Sequence, residues 1–287
     1  MRRFVDLHTH STASDGSSAP GQLVCLAEAK RLAAVALTDH DTTDGLAEAR
    51  AAAESFPALR FIPGIEVSAE FPTGVLHILA LGIDDSSAPL REMVQRLQAA
   101  RQQRNPKIIA KLQAMGMDIS MADVLAVAGR RSGGGIVSRV HVAETLRRKK
   151  YVRTAGEAFE KLIGSGAPAF VDKERLSPRE AIAAIRQAGG VAALAHPPQL
   201  RYTNRAQLER IVRSCMHAGL NGIEVYHTDH SAQQTRLYLD LARRYGLCAV
   251  GGSDFHGAAK PEARLGRPRV PVAAITGELA ARFFGDL

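Results

Sequence analysis

Asp6-Leu7-His8-Thr9-His10 is the stretch from which the fold of this 287-residue chain can be read. It closes a strand-like run, residues 4–10, and its two histidines stand two apart. A strand repeats every two residues, so both imidazoles face one side, where they can share a metal ion. One such pair is weak evidence. It gains meaning from what ends the other strand-like runs. Asp15 follows in the next loop, and Asp39-His40-Asp41 ends the apolar run 33–38. Glu66 lies near the end of run 60–68, His77 within run 74–82, and His196 closes run 190–195. Asp254 and His256 follow the apolar run 247–252. Parallel strands closed into a barrel bring their carboxyl ends to one mouth, where active sites are built.

Between these runs the pattern is helical: residues 44–56, 178–188, 206–218 and 232–245, with a further helix starting at Ser18-Ala19-Pro20. Alternation of this kind predicts an α/β architecture. After Asp85 the rhythm changes. Segments 90–104, 107–115, 121–128, 140–150 and 155–163 all read as helices, with no strand among them. The expected organisation is a barrel formed by residues 1–85 and 171–287, with a helical subdomain, 86–170, inserted into it.

Composition narrows the function. Cys25, Cys215 and Cys248 are scattered, without Cys-x-x-Cys spacing, which argues against a disulfide framework or a thiolate zinc site. No apolar run approaches the roughly 20 residues needed to span a bilayer, and no leader segment is apparent. A cytoplasmic protein without a membrane or an obligate protein partner is expected. With no Trp in the chain, the core must rest on Val, Leu, Ile and Ala. The net charge of +8 is unevenly placed: residues 86–170 carry 15 Lys/Arg against 6 Asp/Glu, and the remainder is close to neutral. Such a field concentrates anionic substrates near whatever it faces.

The segments Asp6-Leu7-His8-Thr9-His10, Leu37-Thr38-Asp39-His40-Asp41, Gly64-Ile65-Glu66-Val67, Ala195-His196-Pro197 and Gly252-Ser253-Asp254-Phe255-His256 together resemble the motifs of the PHP (polymerase and histidinol phosphatase) family. The resemblance implies a distorted (β/α)7 barrel holding two or three divalent metal ions. Position by position, it implies one ion on His8, His10, Glu66 and Asp254. Glu66 would bridge to a second, held also by His77 and His196, and Asp15, His40 and His256 would hold a third. Imidazoles and carboxylates without thiolate suit Mn²⁺, Zn²⁺ or Fe²⁺, and the resemblance favours manganese. Paired metals can activate water for in-line attack at phosphorus. Asp254 and His196 are therefore expected to be catalytically essential.

In the insertion, a glycine-rich segment from Arg130 to Gly135 leads to Ser138-Arg139-Val140-His141. A helix opening at Ser138 would offer free N–H groups to an anion, and Arg139 a forked contact to phosphate. The Ser138, Arg139 and His141 pattern also resembles the substrate-binding segment of PHP nucleotide phosphatases. His230 could contact a phosphate or protonate the leaving oxygen; His217 and His227 receive no role. The expected function is hydrolysis of a phosphate from 3′,5′-nucleoside bisphosphates or from short 5′-phosphorylated RNA, with a nucleotide or oligonucleotide as partner. A histidinol-phosphate phosphatase is the alternative within the fold. A nucleic-acid-binding module with structural metals is the alternative outside catalysis.

Overall fold

The computed structural model describes residues 3–72, 74–129 and 136–285. The segment Arg130 to Gly135, read above as a glycine-rich turn, lies outside them. The chain divides into two compact units: Met1–Val94 with Leu176–Leu287, and Gln95–Arg175.

The first unit is built on strands β1 (Phe4–Asp6), β2 (Ala34–Leu37), β3 (Arg60–Ala69), β4 (Leu76–Leu81), β5 (Val191–Leu194), β6 (Gly222–Tyr226), β7 (Cys248–Gly251) and β8 (Val270–Pro271). Their order in the sheet is β7-β6-β5-β4-β3-β2-β1-β8. Beyond the ladder, Leu7 N–H donates to Gly251 O at 3.1 Å and Asp254 N–H to His8 O at 2.9 Å. These bonds join the two ends of the sheet, so the barrel is nearly closed. Gly252 permits that approach: a Cβ there would fall on the backbone nitrogen of His8 and 2.5 Å from its Cβ.

The expected convergence of parallel strands is corrected at one place. β4 runs antiparallel to both β3 and β5, with Ser68 opposite His77 and Leu79 opposite Ala193. No helix intervenes between β3 and β4, and a short connection can join only antiparallel neighbours. Inversion places the start of β4 beside the end of β3. His77, the second residue of β4, thereby reaches the same mouth as the residues that follow the other strands.

The short strands are buried on both faces, so they read as continuous apolar runs rather than alternating ones. Val5, Leu7, Ala34, Ala36, Ile62, Leu79, Ala193 and Val250 pack in one cluster, the Val/Leu/Ile/Ala core that a Trp-free sequence requires. Around them lie α1 (Pro20–Ala29) and α2 (Leu46–Ala53). The chain then enters the long helix α3 (Ala88–Ala114), which runs on into the second unit.

The second unit continues with α4 (Met121–Val127), α5 (Arg139–Arg148) and α6 (Ala155–Ala158), which passes into a π turn, Phe159–Ile163. Ile108, Ile109, Leu112, Val124, Val142, Leu146 and Ile163 form its own core. Segments 90–104 and 107–115, expected as two helices broken at Pro106, are one helix with Pro106 inside it. An interior proline costs about 3 kcal/mol. Burying Ile108, Ile109 and Leu112 together, at roughly 1.5–3 kcal/mol each, outweighs that cost.

The chain returns to the barrel through α7 (Pro178–Gln187), α8 (Arg205–His217), α9 (Ala232–Tyr245) and α10 (Gly277–Phe284). Ser177 and Ser231 cap α7 and α9 with Glu180 and Gln234 three residues on, each side chain satisfying an otherwise unpaired N–H. β8 and α10 had no counterpart in the sequence reading. No helix among the described residues is long and apolar enough to cross a membrane.

Candidate metal centre

Every residue expected at the strand ends meets at one buried mouth. Glu66, fully buried near the end of β3, is its centre. Its Oε2 lies 3.3 Å from His8 Nε2, 3.3 Å from His10 Nε2 and 3.0 Å from His40 Nδ1. Its Oε1 lies 2.8 Å from both His77 Nδ1 and His196 Nε2. Each carboxylate oxygen thus serves a different group of imidazoles.

Three groups of donors can be traced. Asp254 Oδ1 stands 3.3 Å from His8 Nε2 and 3.2 Å from His10 Nε2, completing a set of His8, His10, Glu66 and Asp254. His77 Nδ1 and His196 Nε2 are 3.4 Å apart across Glu66 Oε1. Asp15 Oδ1 lies 3.4 Å from His256 Nε2 and 4.0 Å from His40 Nε2, and His10 joins that set.

The donors suit divalent cations. His8 Nε2, His10 Nε2, Asp15 Oδ1 and Glu66 Oε2 are buried without a hydrogen-bond partner among the described residues, a costly arrangement unless an ion completes it. Ligands about 2.0–2.2 Å from one shared cation stand roughly 3–3.5 Å from each other, the spacing seen here. Burial alone would raise the Glu66 carboxyl, but the imidazoles of His40, His77 and His8 packed around it outweigh that and hold the group well below its usual range. Asp254 and Asp15 behave alike: burial raises them, and their histidine neighbours bring them well below it. Carboxylates that stay charged when buried are what a cation needs. His77 is pushed down to about 4 by burial, against the pull of Glu66, so its ring is neutral and its lone pair available.

Backbone strain accompanies the site. Asp254 has φ 56° and His196 φ 22°, positions a non-glycine residue adopts at roughly 1–3 kcal/mol each. His196 is held there by its N–H, which donates to Glu224 Oε2 at 2.6 Å.

A supporting layer surrounds the donors. Glu224 Oε1 lies 2.9 Å from His8 Nδ1 and aims the opposite nitrogen of that ring at Glu66 and Asp254. Burial would raise Glu224, but His8 and His227 bring it to about 2. Asp39 accepts hydrogen bonds from Ser11 N–H at 2.8 Å and Ser11 Oγ at 2.6 Å, which fixes the loop carrying Asp15. Asp6 accepts from Ser253 N–H and Gly266 N–H at 2.8 and 2.7 Å, tying down the loop of Asp254. Lys260 Nζ lies 2.9 Å from Asp254 Oδ2.

A PHP domain model matches residues 6–245. The chain belongs to the PHP family. It is 35% identical to the 3′,5′-nucleoside bisphosphate phosphatase of Chromobacterium violaceum, over 88% of this chain and 87% of that one. It is 34% identical to the 5′-3′ exoribonuclease Rnm of Escherichia coli, over 96% of this chain and 92% of that one. The crystal structure of a candidate metal-dependent phosphoesterase from Bifidobacterium adolescentis superposes with a TM-score of 0.84 at 32% identity, covering 94% of this chain and 93% of that one. The chain is a PHP phosphoesterase, a hydrolase of phosphoester bonds.

Some residues of this PHP site escaped the sequence reading. Glu224 had a signal: Gly222-Ile223-Glu224-Val225 repeats the tetrapeptide Gly64-Ile65-Glu66-Val67, and both glutamates are buried on strands. His227, given no role, is buried with its Nε2 3.6 Å from Asp254 Oδ2 and its ring 5.9 Å from that of His8. Nothing local in the sequence marks it or Lys260.

His230 sits beside this group, its ring 5.1 Å from that of His227. Its Nδ1 lies 3.0 Å from Val225 O, and burial lowers it to about 4. A neutral ring that donates through Nδ1 keeps Nε2 as an acceptor. The remaining expected residues belong to the second unit. Ser138 caps α5, its hydroxyl accepting from Val140 N–H, while His141 Nδ1 accepts from Ser138 N–H at 3.0 Å. The Arg139 guanidinium lies 5.7 Å from the Phe159 ring centre and 5.8 Å from that of Phe170. Burial, and then the Arg175 and Arg101 cations, lower its pKa, which marks three arginines gathered in one place.

Proposed function

We propose that this PHP chain removes a phosphate from 3′,5′-nucleoside bisphosphates and also acts on short 5′-phosphorylated RNA, with two or three divalent cations, manganese foremost, in the buried mouth. The observation that carries this reading is Glu66, whose two carboxylate oxygens each face a separate group of imidazoles. The relatives named above add the substrate class. Bound cations would lower the pKa of water and neutralise the phosphate oxygens.

The chain's own groups do the rest. His8, His10, Glu66 and Asp254 would hold one ion, Glu66, His77 and His196 a second, and Asp15, His40 and His256 a third. Glu224 and Lys260 fix the first set by gripping His8 and Asp254. His230 Nε2, unprotonated near neutral pH, offers an acceptor to a substrate hydroxyl or a protonated phosphate oxygen. Arg139, with Ser138 and His141, is assigned to a second phosphate of the substrate, through the forked contact a guanidinium makes to phosphate oxygens.

The test is phosphate release by the manganese-loaded protein from adenosine 3′,5′-bisphosphate, a 5′-phosphorylated tetranucleotide and histidinol phosphate. Turnover is expected with the first two. No release above metal-only controls would refute the proposal, and faster turnover of histidinol phosphate would replace its substrate class.

A further inference from the structure

A second charged concavity lies at the other end of the barrel. A cleft of about 810 Å³ is lined by Arg3, Lys30, Arg31, Arg264, Arg267 and Arg269, with Glu28 as the acidic member of its wall. Phe4, which opens β1, and Leu32, just ahead of β2, also line it, whereas the histidines follow the opposite end of β1. Residues 4 and 8 of an extended strand are about 13 Å apart at roughly 3.3 Å per residue. The cleft is therefore separate from the metal mouth.

Its charge is not explained by folding. Among the described residues, none of these six cations has a carboxylate within ion-pair distance, and Arg269 stands instead 5.5 Å from the Phe4 ring centre. Lys30 and Arg31 follow the C-terminus of α1, where the helix dipole favours cations. That accounts for two of the six. Outside residues 86–170 the chain carries 22 Lys/Arg and 23 Asp/Glu, so this excess is a local concentration in a near-neutral region. A concave wall of like charges focuses the potential on an anion, and arginine forks match phosphate oxygens. The rest of the lining is apolar and suits a base: Phe4, with Arg269 over its ring, and the buried Leu32 and Leu265. The volume falls in the range of about 300–1,000 Å³ typical of small-molecule sites.

We propose that this cleft is a second anion site, which binds a nucleotide bearing two or more phosphates without breaking a bond in it. A concave cleft of this volume with an apolar wall fits one nucleotide better than a running RNA backbone. The site stands independently of the hydrolysis proposed above.

Calorimetric titration of the full-length protein with α,β-methylene adenosine 5′-diphosphate, as purified and after chelation, tests it. A binding event that survives chelation is expected, absent with adenosine and weakened about tenfold or more by Arg264→Gln with Arg267→Gln. That double variant should hydrolyse an aryl phosphate at the wild-type rate. Should it fail to fold, photolabelling of the wild type with 8-azidoadenosine 5′-diphosphate reads the same point, with label expected in residues 264–269, 28–32 or 3–4. The proposal is overturned if no event survives chelation, if the variant binds equally well, or if label maps to the histidine mouth. It is also overturned if an oligonucleotide displaces the probe at far lower concentration than any mononucleotide. Loss of hydrolysis with cleft binding intact would remove the catalytic reading alone.

Discussion

Glu224 grips His8 Nδ1 and the His196 backbone N–H at once. Glu224→Gln is expected to fold and to lower metal affinity by roughly 10–100-fold, measured by competition with a metal-binding dye; unchanged affinity would mean that His8 is oriented by packing alone. Arg139 calls for a different comparison. Arg139→Ala should cost bisphosphate hydrolysis roughly 10–100-fold, the worth of one charge-assisted contact, while hydrolysis of an aryl phosphate ester stays near wild type. Equal losses on both substrates would show that Arg139 does not select the second phosphate. At this scale the donors were legible because His, Asp and Glu recur at strand ends. Lys260 and His227 were not, since each acts through Asp254, a contact that no local spacing announces.

At the scale of elements, the barrel depends on how closely the ends of β1 and β7 approach. Gly252→Ala would press a methyl group onto His8. The expected loss is roughly 1–3 kcal/mol, typical of overpacking, or about 2–4 °C in melting temperature per kcal/mol for a domain of this size. Gly156→Ala, in α6, meets nothing nearer than Thr154 Oγ1 at 3.8 Å and should be neutral or slightly stabilising. Equal effects in thermal denaturation would remove the argument from close approach. Strand and helix positions were largely readable from apolar runs and capping residues. The direction of β4 was not, because an apolar run reads the same whether its neighbour is parallel or antiparallel. Nor was the continuity of α3: Pro106 is a local stop signal, and only the core formed by Ile108, Ile109 and Leu112 overrides it.

For the whole molecule, metal binding and folding are linked. Burial lowers His8, but Glu224, Glu66 and Asp254 outweigh it and raise the group well above its ordinary 6.5 in the metal-free fold. A raised pKa stabilises that fold below 6.5, and the contribution is lost as pH rises through the folded value. Cations require the neutral ring, so protons compete with them. The melting temperature of the manganese-loaded protein should exceed that of the chelated protein, by about 2.7 kcal/mol of stability at a hundredfold excess over Kd. That gap should widen as pH rises from about 6 to 8, followed by differential scanning fluorimetry. A gap that is constant or narrows with pH would show that no histidine proton is displaced.

The amino-acid sequence alone determined the alternation of strand and helix and which residue types stand at the ends of the strand-like runs. Each follows from short-range periodicity and residue chemistry. Which oxygen of Glu66 faces which imidazole, the inversion that carries His77 to the mouth, and the support given by Glu224 were decided only by tertiary structure. These are contacts between residues as far apart as His8 and Glu224, and closure of the barrel, rather than any local pattern, sets their distance.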